Sequence, residues 1–570
     1  MTGPGLADRF VAVGGWVRSR GPEHRHFRAD LLAGLPVAVS GVPDGMAAGV
    51  LAGASPVHGL YASFAGPITG GLFSSTRLMV ITTTSAAALA AGSGVSGVAE
   101  ADRGAALVLL TLMAGALMVV AGILRLGRYT RFVSHSVMLG FLTGIAVNIV
   151  LGQLSDLTGA PAEGSTNLQK AIDVILHPRT WDPATLLVGL AALAILVAMA
   201  RTRLAIVSSL VALAVPTAVV LLAGLDSVAQ VSDSGAIPQG FPLPELPDLG
   251  QFSLSLLAAA AAVAAIVLVQ GAGVAQSAPN PDGPSASNQD FVAQGAGNLA
   301  SGLFGGMPVG GSVGRTALNV TAGGRTRWAA ILSGVWMLII LVAFSGVVGE
   351  VAMSTLAAIL VFAGIRSIRV HQIVTILRTG PNSQIAVIST FAATLLLPVA
   401  AAVGIGVVIS LLLQLNQEAM DLAVVQLVVD DDGRFVEQPP PTHLPSDEVT
   451  VLDVYGSLFY AGARTLQAQL PDPTGSSRPA VVLRLRGRTT LGATFFSVAS
   501  SYSDRLREVG GRLYLTGIDP ELAARLRKPI KDPLAGHARI YEASPVVGAS
   551  TIHALSDATT WIVGAQEPTP

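Results

Sequence analysis

The sequence predicts a polytopic α-helical membrane protein that carries a small soluble α/β domain in its C-terminal part. Three observations carry that prediction. Of 570 residues, 51% are hydrophobic and only 12% are charged, against roughly 25% charged in an ordinary soluble domain. The charges are unevenly spread: residues 29–416 hold 15 Lys/Arg and 15 Asp/Glu, while the much shorter stretch 417–570 holds 14 and 18. Finally, long charge-free runs recur throughout the first stretch.

A run of about 18 or more apolar residues reads as a spanning helix, because ~20 residues cross the hydrocarbon. Runs 104–124, 132–155, 204–225 and 328–349 have the length of one span each. Runs 45–76 and 379–417 have the length of two, broken near Pro56 and Pro398. Runs near 183–200, 253–277, 290–305 and 353–377, with two shorter Gly/Thr-rich segments at 78–97 and 308–322, bring the expected total to fourteen.

Residues 1–29 carry Arg9, Arg18, Arg20, Arg25 and Arg28 against two acids and no signal-peptide core, so this segment is expected in the cytoplasm. Alternation from there puts Arg77, Arg125, Arg128, Arg131, Arg201, Arg203, Arg325, Arg327, Arg366, Arg369 and Arg378 on the cytoplasmic side. The expected outside loop 226–250 holds Asp226, Asp233, Glu245 and Asp248 and no Lys or Arg. An even number of spans returns the C-terminus to the cytoplasm, which describes a multi-pass protein of the plasma (cytoplasmic) membrane.

The expected domains are a cytoplasmic segment at 1–29, a transmembrane transport domain at 30–416, a linker at 417–444 with a Gln438-Pro439-Pro440-Pro441 hinge, and a cytoplasmic domain at 445–570. In the last, strands are predicted at 449–455, 480–486, 512–516 and 538–543, and helices at 461–470, 493–508, 519–528 and 549–562.

Several classes are excluded. A net charge of −1 provides no electrostatic footprint for nucleic acid. The absence of cysteine removes disulfides, thiolate zinc sites and Cys nucleophiles. The soluble part has no P-loop or Gly-rich phosphate cradle, which argues against an ATP-driven pump. Neither a cofactor nor a metal is expected, and the chain is not read as an enzyme.

Two segments break the apolar pattern at equivalent places in the two halves. Ser74-Ser75-Thr76-Arg77-Leu78-Met79-Val80-Ile81-Thr82-Thr83-Thr84-Ser85 stands where the third span starts, and Pro308-Val309-Gly310-Gly311-Ser312-Val313-Gly314-Arg315-Thr316 where the tenth starts. Paired interruptions of this kind mark the midplane site of a transporter. Half-helix N-termini expose unpaired N–H groups and a partial positive charge, which suits an anion. The alternative is that Gly and Thr serve close packing between spans.

Ionisable residues inside the membrane are functional by default, since burying a charge there is costly. Arg315 lies beside the second break, where its guanidinium either supplements the helix dipole under an oxyanion or caps carbonyls structurally. Asp44 follows Pro43 in mid-span; it either takes up a proton near neutral pH or forms a salt bridge to Arg315 or caps backbone freed by the proline. His58 and His135 are placed at span ends, away from the site.

Asp30-Leu31-Leu32-Ala33-Gly34-Leu35, Pro43-Asp44-Gly45-Met46-Ala47 and Leu51-Ala52-Gly53-Ala54-Ser55-Pro56-Val57-His58-Gly59-Leu60-Tyr61 together resemble the opening of the sulfate permease (SulP) anion transporters. Gln294-Gly295-Ala296-Gly297-Asn298, then Leu303-Phe304-Gly305-Gly306-Met307-Pro308-Val309-Gly310-Gly311-Ser312 and Arg315-Thr316-Ala317-Leu318-Asn319, look like that family's second signature. The C-terminal part is similar to its STAS domain. The resemblance implies a seven-plus-seven inverted repeat of fourteen spans with two half-helices, a mobile core, a gate, and a homodimer. It also implies substrate held between the third and tenth spans with help from the first and eighth.

Carried over by motif, the substrate-binding candidates are Thr82, Thr83, Thr84 and Ser85 in the third span and Gly314, Arg315 and Thr316 in the tenth. Asp44 and Gln270 are the coupling-ion candidates. The chain departs from the family pattern in several places. Val80-Ile81-Thr82-Thr83 replaces a frequent Ser-Val-Gly-Pro; Asp44 stands at a frequent Gln, Gly314 at a Ser, and Gln270 at a Glu. A carboxylate has in effect moved from the eighth span to the first. Thr489-Thr490-Leu491-Gly492-Ala493-Thr494 lacks the Asp common in the STAS pattern, which leaves that domain a packing and regulatory role.

The resulting expectation is secondary active transport of a small inorganic anion, sulfate with proton coupling first, by an elevator-like movement in the lipid bilayer. Sodium-coupled bicarbonate transport and dicarboxylate transport are the alternatives within that class. Outside it stand an uncoupled anion channel and an STAS-based signalling scaffold.

Overall fold

The computed structural model describes residues 21, 25–128, 134–164, 166–202, 204–234, 241–244, 246–280, 283–397, 399–432, 434–526 and 536–564. The expectations for Arg9, Arg18, Arg20, Arg131, Arg203, Glu245 and Pro398 lie outside the described residues. The chain divides into two compact units, Met1–Ser410 and Leu411–Pro570.

The first unit is helical. Helices α1 (Phe27–Leu51) and α2 (Pro56–Phe73) lead to a three-residue strand β1 (Ile81–Thr83) and the short helix α3 (Ser85–Val95). Helices α4 (Arg103–Ile123), α5 (His135–Gly152), α6 (Leu154–Thr158), α7 (Asn167–Leu176), α8 (Pro183–Met199) and α9 (Ser208–Ala223) follow. The second half repeats the motif: α10 (Leu254–Ser277) and α11 (Ser287–Leu303) lead to strand β2 (Val309–Gly311) and short helix α12 (Val313–Thr321). Helices α13 (Arg327–Val348), α14 (Met353–Ser367), α15 (Val370–Leu377), α16 (Pro381–Leu396) and α17 (Val399–Met420) complete the apolar region. Among the described residues, six helical stretches are long and apolar enough to cross a membrane, and α3, α8 and α9 are shorter apolar helices.

One expected boundary moves. Run 45–76 was expected to hold two spans, but α1 begins at Phe27 and runs through Asp44 to Leu51, so the run holds only the end of α1 and all of α2. A single charge splits an apolar run on paper, whereas the helix continues because Asp44 has a partner in the fold. Helix α1 also contains Pro36 and Pro43. The Ser40 hydroxyl bonds back to the preceding turn, donating to Pro36 O at 2.9 Å. Helices α1 and α2 cross in backbone contact: a Cβ on Gly59 would stand 1.8 Å from Gly45 O, so only glycine fits.

The second unit is a six-stranded sheet. Strands β3 (Ala423–Val429), β4 (Phe435–Gln438), β5 (Val449–Tyr455), β6 (Ala480–Arg484), β7 (Arg512–Ile518) and β8 (Arg539–Glu542) take the order β4-β3-β5-β6-β7-β8. β5 through β8 are parallel, and β3 is antiparallel to both its neighbours. Val481 and Leu483 of β6 pack in one core with Leu466 of helix α18 (Tyr460–Gln469) and Phe495 of helix α19 (Ala493–Glu508). Val482, between them, faces the other core with Ala554, Ala558 and Ile562 of the C-terminal helix (Ala549–Gly564). Strands buried on both faces read as continuous apolar runs.

The segment 417–444 is not the expected linker, because β3 and β4 lie within it and belong to the sheet. Val424, Val425, Val428 and Val429 supply the β-branched content that favours a strand, and the acidic turn Asp430–Asp432 between β3 and β4 disguises them as linker.

Candidate functional site

The two breaks meet. β1 and β2 form an antiparallel ladder with Ile81 opposite Gly311, Thr82 opposite Gly310 and Thr83 opposite Val309. The half-helices α3 and α12 therefore leave from opposite ends of one ladder, and both begin at it. Thr84 caps α3 by accepting from Ala87 N at 3.3 Å, and Ser312 caps α12 by accepting from Arg315 N at 3.4 Å. Each cap satisfies one of the four N–H groups a helix start leaves unpaired, and the rest keep their partial positive charge.

A cavity of about 740 Å³ opens at these N-termini. Of the sequence-predicted residues, Asp44, Thr83, Thr84, Ser85, Gln270, Gly314 and Arg315 line it. Thr82 and Thr316 do not. Side chains alternate across a strand, so with Thr83 facing the cavity Thr82 faces the opposite way, into a small void shared with Ser63 and Ser333. Thr316 is buried and its hydroxyl accepts from Val80 N at 3.1 Å, which makes it a tie between α12 and the approach to β1.

Arg315 is committed to α1. Its guanidinium donates to Val37 O at 3.3 Å, to the Ser40 hydroxyl, to Ser40 O and to the Asp44 carboxylate. Its side chain is 9% exposed, whereas that of Asp44 is 49% exposed and faces the cavity. Two of the alternatives left open by the sequence thus coexist: Arg315 caps carbonyls of a proline-bearing helix and also pairs with Asp44. Gln270 lies opposite on α10; among the described residues its buried Oε1 has no hydrogen-bond partner.

The sequence placed His135 away from the site, yet it lines the cavity from the first turn of α5. His58 does stay outside the lining, its Nδ1 donating to Gly305 O at 2.5 Å. Arg366 and Arg369, read from sequence as topology markers, also line the cavity, and Arg366 stacks over Phe362 with its guanidinium carbon 5.4 Å from the ring centre. Their signal was present as two cations ending an apolar run, and only the fold shows which cavity that end borders.

The family model described as the sulfate permease family matches residues 27–390, well over half of the chain. The chain belongs to the sulfate permease family. Its members are membrane anion transporters and not enzymes, so this protein is a multi-pass anion transporter. It is similar to the "Probable sulfate transporter Rv1739c" of Mycobacterium tuberculosis, at 30% identity over 411 residues, 71% of this chain and 73% of the relative. It is also similar to the "Bicarbonate transporter BicA" of Synechocystis, at 24% identity over 524 residues, 88% of this chain and 90% of the relative. The murine Solute Carrier 26 family member A9 anion transporter, in its inward-facing state, shares the fold with a TM-score of 0.82 at 18% identity, covering 98% of this chain and 96% of that one.

Proposed function

We propose that this transporter carries sulfate together with a proton, with the anion held in the cavity between the N-termini of α3 and α12. The observation that supports this reading best is the Arg315–Asp44 pair at those N-termini. Two half-helix ends supply about half a positive charge each, which balances a monovalent anion. The pair itself adds no net charge while Asp44 is ionised. A proton on Asp44 leaves the Arg315 charge uncompensated, so the site gains one positive charge together with one proton and can balance a divalent anion. The relative of 30% identity is named a sulfate transporter.

A second reading, sodium-coupled bicarbonate transport, is favoured by the unpartnered Gln270 Oε1 and the half-exposed Asp44 carboxylate, both hard oxygen ligands for a cation. A relative named a bicarbonate transporter supports it.

The architecture proposed with this function is a seven-plus-seven inverted repeat. α1 to α5, α8 and α9 form the first seven spans; α10 to α14, α16 and α17 form the second. The core that carries α3 and α12 moves like an elevator against the gate. Residues 445–570 form a STAS domain whose sheet β3 and β4 complete, so that Pro439–Pro441 lies within it, between β4 and β5, and is not a hinge leading to it. Both termini lie in the cytoplasm below the plasma membrane, and the protein works as a homodimer.

Uptake into proteoliposomes of sulfate, bicarbonate and fumarate, each with and without imposed proton and sodium gradients, tests the reading. Proton-driven sulfate uptake is the expected result. Sodium-driven bicarbonate uptake selects the second reading, and fumarate uptake a dicarboxylate transporter. Uncoupled electrogenic flux points to a channel, and no flux of any anion to a scaffold.

A further inference from the structure

Helix α11 carries four polar side chains one turn apart or nearly so, Asp290, Gln294, Asn298 and Ser301, and all are at most 1% exposed. Burying such groups without partners is costly, and every one of them is bonded within a break or at its edge. Asp290 accepts from Ser74 Oγ at 2.9 Å, Ser75 N at 2.7 Å, Thr76 N at 3.2 Å and Thr76 Oγ1 at 2.7 Å, all just before β1. Gln294 Oε1 accepts from Gly311 N at 3.2 Å. Asn298 accepts from Val309 N at 3.0 Å and donates to Val309 O at 2.7 Å. Ser301 donates to Met307 O at 2.6 Å.

Two three-residue strands do not make a stable sheet by themselves. Among the described residues no third strand pairs with the outer edge of β2, and its polar groups meet Gln294 and Asn298 instead. The spacing fits: four residues of helix rise ~6 Å, and two residues of strand, Val309 to Gly311, rise ~6.6–6.8 Å. Helix α10 makes room by placing Gly271 where a Cβ would stand 2.1 Å from Gln294 Oε1.

We infer that Gln294 and Asn298 are positioning residues that stand in for a third strand, so that the α11 rail sets how the N-termini of α3 and α12 face the anion. Neither side chain lines the cavity, so each acts through β2. The inference deepens the proposed function and rests on it only where anion affinity is the readout.

The chain has no native cysteine, so spin labels on Ser96→Cys and Thr321→Cys, both exposed at the far ends of α3 and α12, report the relation of the two half-helices directly. In the otherwise unaltered protein one narrow distance distribution is expected from pulsed electron resonance. Gln294→Met and Asn298→Leu, similar in shape but unable to bond β2, should broaden or shift it. Gln294→Glu keeps the acceptor for Gly311 N and should restore most of it, whereas Asn298→Asp keeps the acceptor for Val309 N but loses the donor to Val309 O and should restore less. In the folded fraction of the Met and Leu variants, sulfate KM should rise about tenfold, as a lost hydrogen bond predicts, with kcat changed far less, and Gln294→Glu should rescue it. Distance distributions unaltered in both apolar variants, or lower folded yield with an unchanged distribution and KM, would overturn the inference. If the parent protein takes up no sulfate, the functional reading fails, and the spin-label distances still decide the rail.

Discussion

The guanidinium of Arg315 and the carboxylate of Asp44 are an ion pair across 271 positions of sequence, at the start of a half-helix and beside a proline in the first helix. One member is buried and held by three further bonds to α1, and the other is half exposed to the cavity. The pair therefore divides its labour: Arg315 is fixed, and Asp44 can exchange with whatever enters.

Asp44→Asn mimics the protonated carboxyl. In this variant sulfate uptake is expected to lose its dependence on an imposed pH gradient, while exchange of anion for anion continues. Counterflow and gradient-driven uptake in the same proteoliposomes check it, and full retention of pH-gradient dependence rejects Asp44 as the proton carrier.

Arg315→Ala should be the more damaging change, since it strips α1 of four hydrogen bonds and leaves Asp44 unpaired. Removing one partner of a fully buried pair costs about 3–5 kcal/mol; with Asp44 half in solvent, about 1–3 kcal/mol is expected. Thermal unfolding in detergent measures it. Calorimetric titration should show sulfate binding falling more than chloride binding, and Arg315→Lys should return the charge without the fork of donors. Equal losses for both anions would assign Arg315 to fold alone.

Two buried carboxylates hold loops and not substrate. Asp290 accepts four hydrogen bonds from 74–76, and Asp30, equally buried, accepts from Arg325 N at 2.7 Å, Thr326 N at 3.1 Å and the Thr326 hydroxyl. Asp30→Asn or Asp290→Asn turns one acceptor into a donor facing donors, for a loss of about 2–4 kcal/mol of stability. Lower melting temperature with unchanged preference among anions is the expected result; altered selectivity would show a reach into the site.

Gly314→Ser tests the tenth-span wall from the other direction. A Cβ there meets no heavy atom within 4 Å, and the position lines the cavity. The added hydroxyl should raise sulfate affinity by about threefold, the scale of one net hydrogen bond in a wet site. Gly59→Ala is the contrasting control: its Cβ collides with Gly45 O, and folded protein should be lost.

Much of the site could be read locally. The hydroxyl- and glycine-rich interruptions at 74–85 and 308–316 stand out against apolar surroundings, and a strand followed by a short capped helix occurs at both. Motif membership assigns Thr82 and Thr316 to the site but carries no facing. Strand alternation turns Thr82 away from the cavity, and the bond to Val80 N draws Thr316 into the packing. Around His135, Arg366 and Arg369 the local sequence marks only the end of an apolar run, and the fold alone turns those ends toward the cavity.

Composition and periodicity by themselves determined the membrane class, the positions of most helices and the alternation of strands and helices in the C-terminal part, because hydropathy and strand alternation are local properties of the chain. Only the tertiary structure decided that β3 and β4 join the sheet, that the two breaks pair with each other, that α11 supplies amides in place of a third strand, and that Arg315 spends its donors on α1 and Asp44. Those facts depend on which distant groups a buried polar atom finds, and in a low-dielectric interior it is costly for such an atom to find none. A linear sequence states that need without naming the partner.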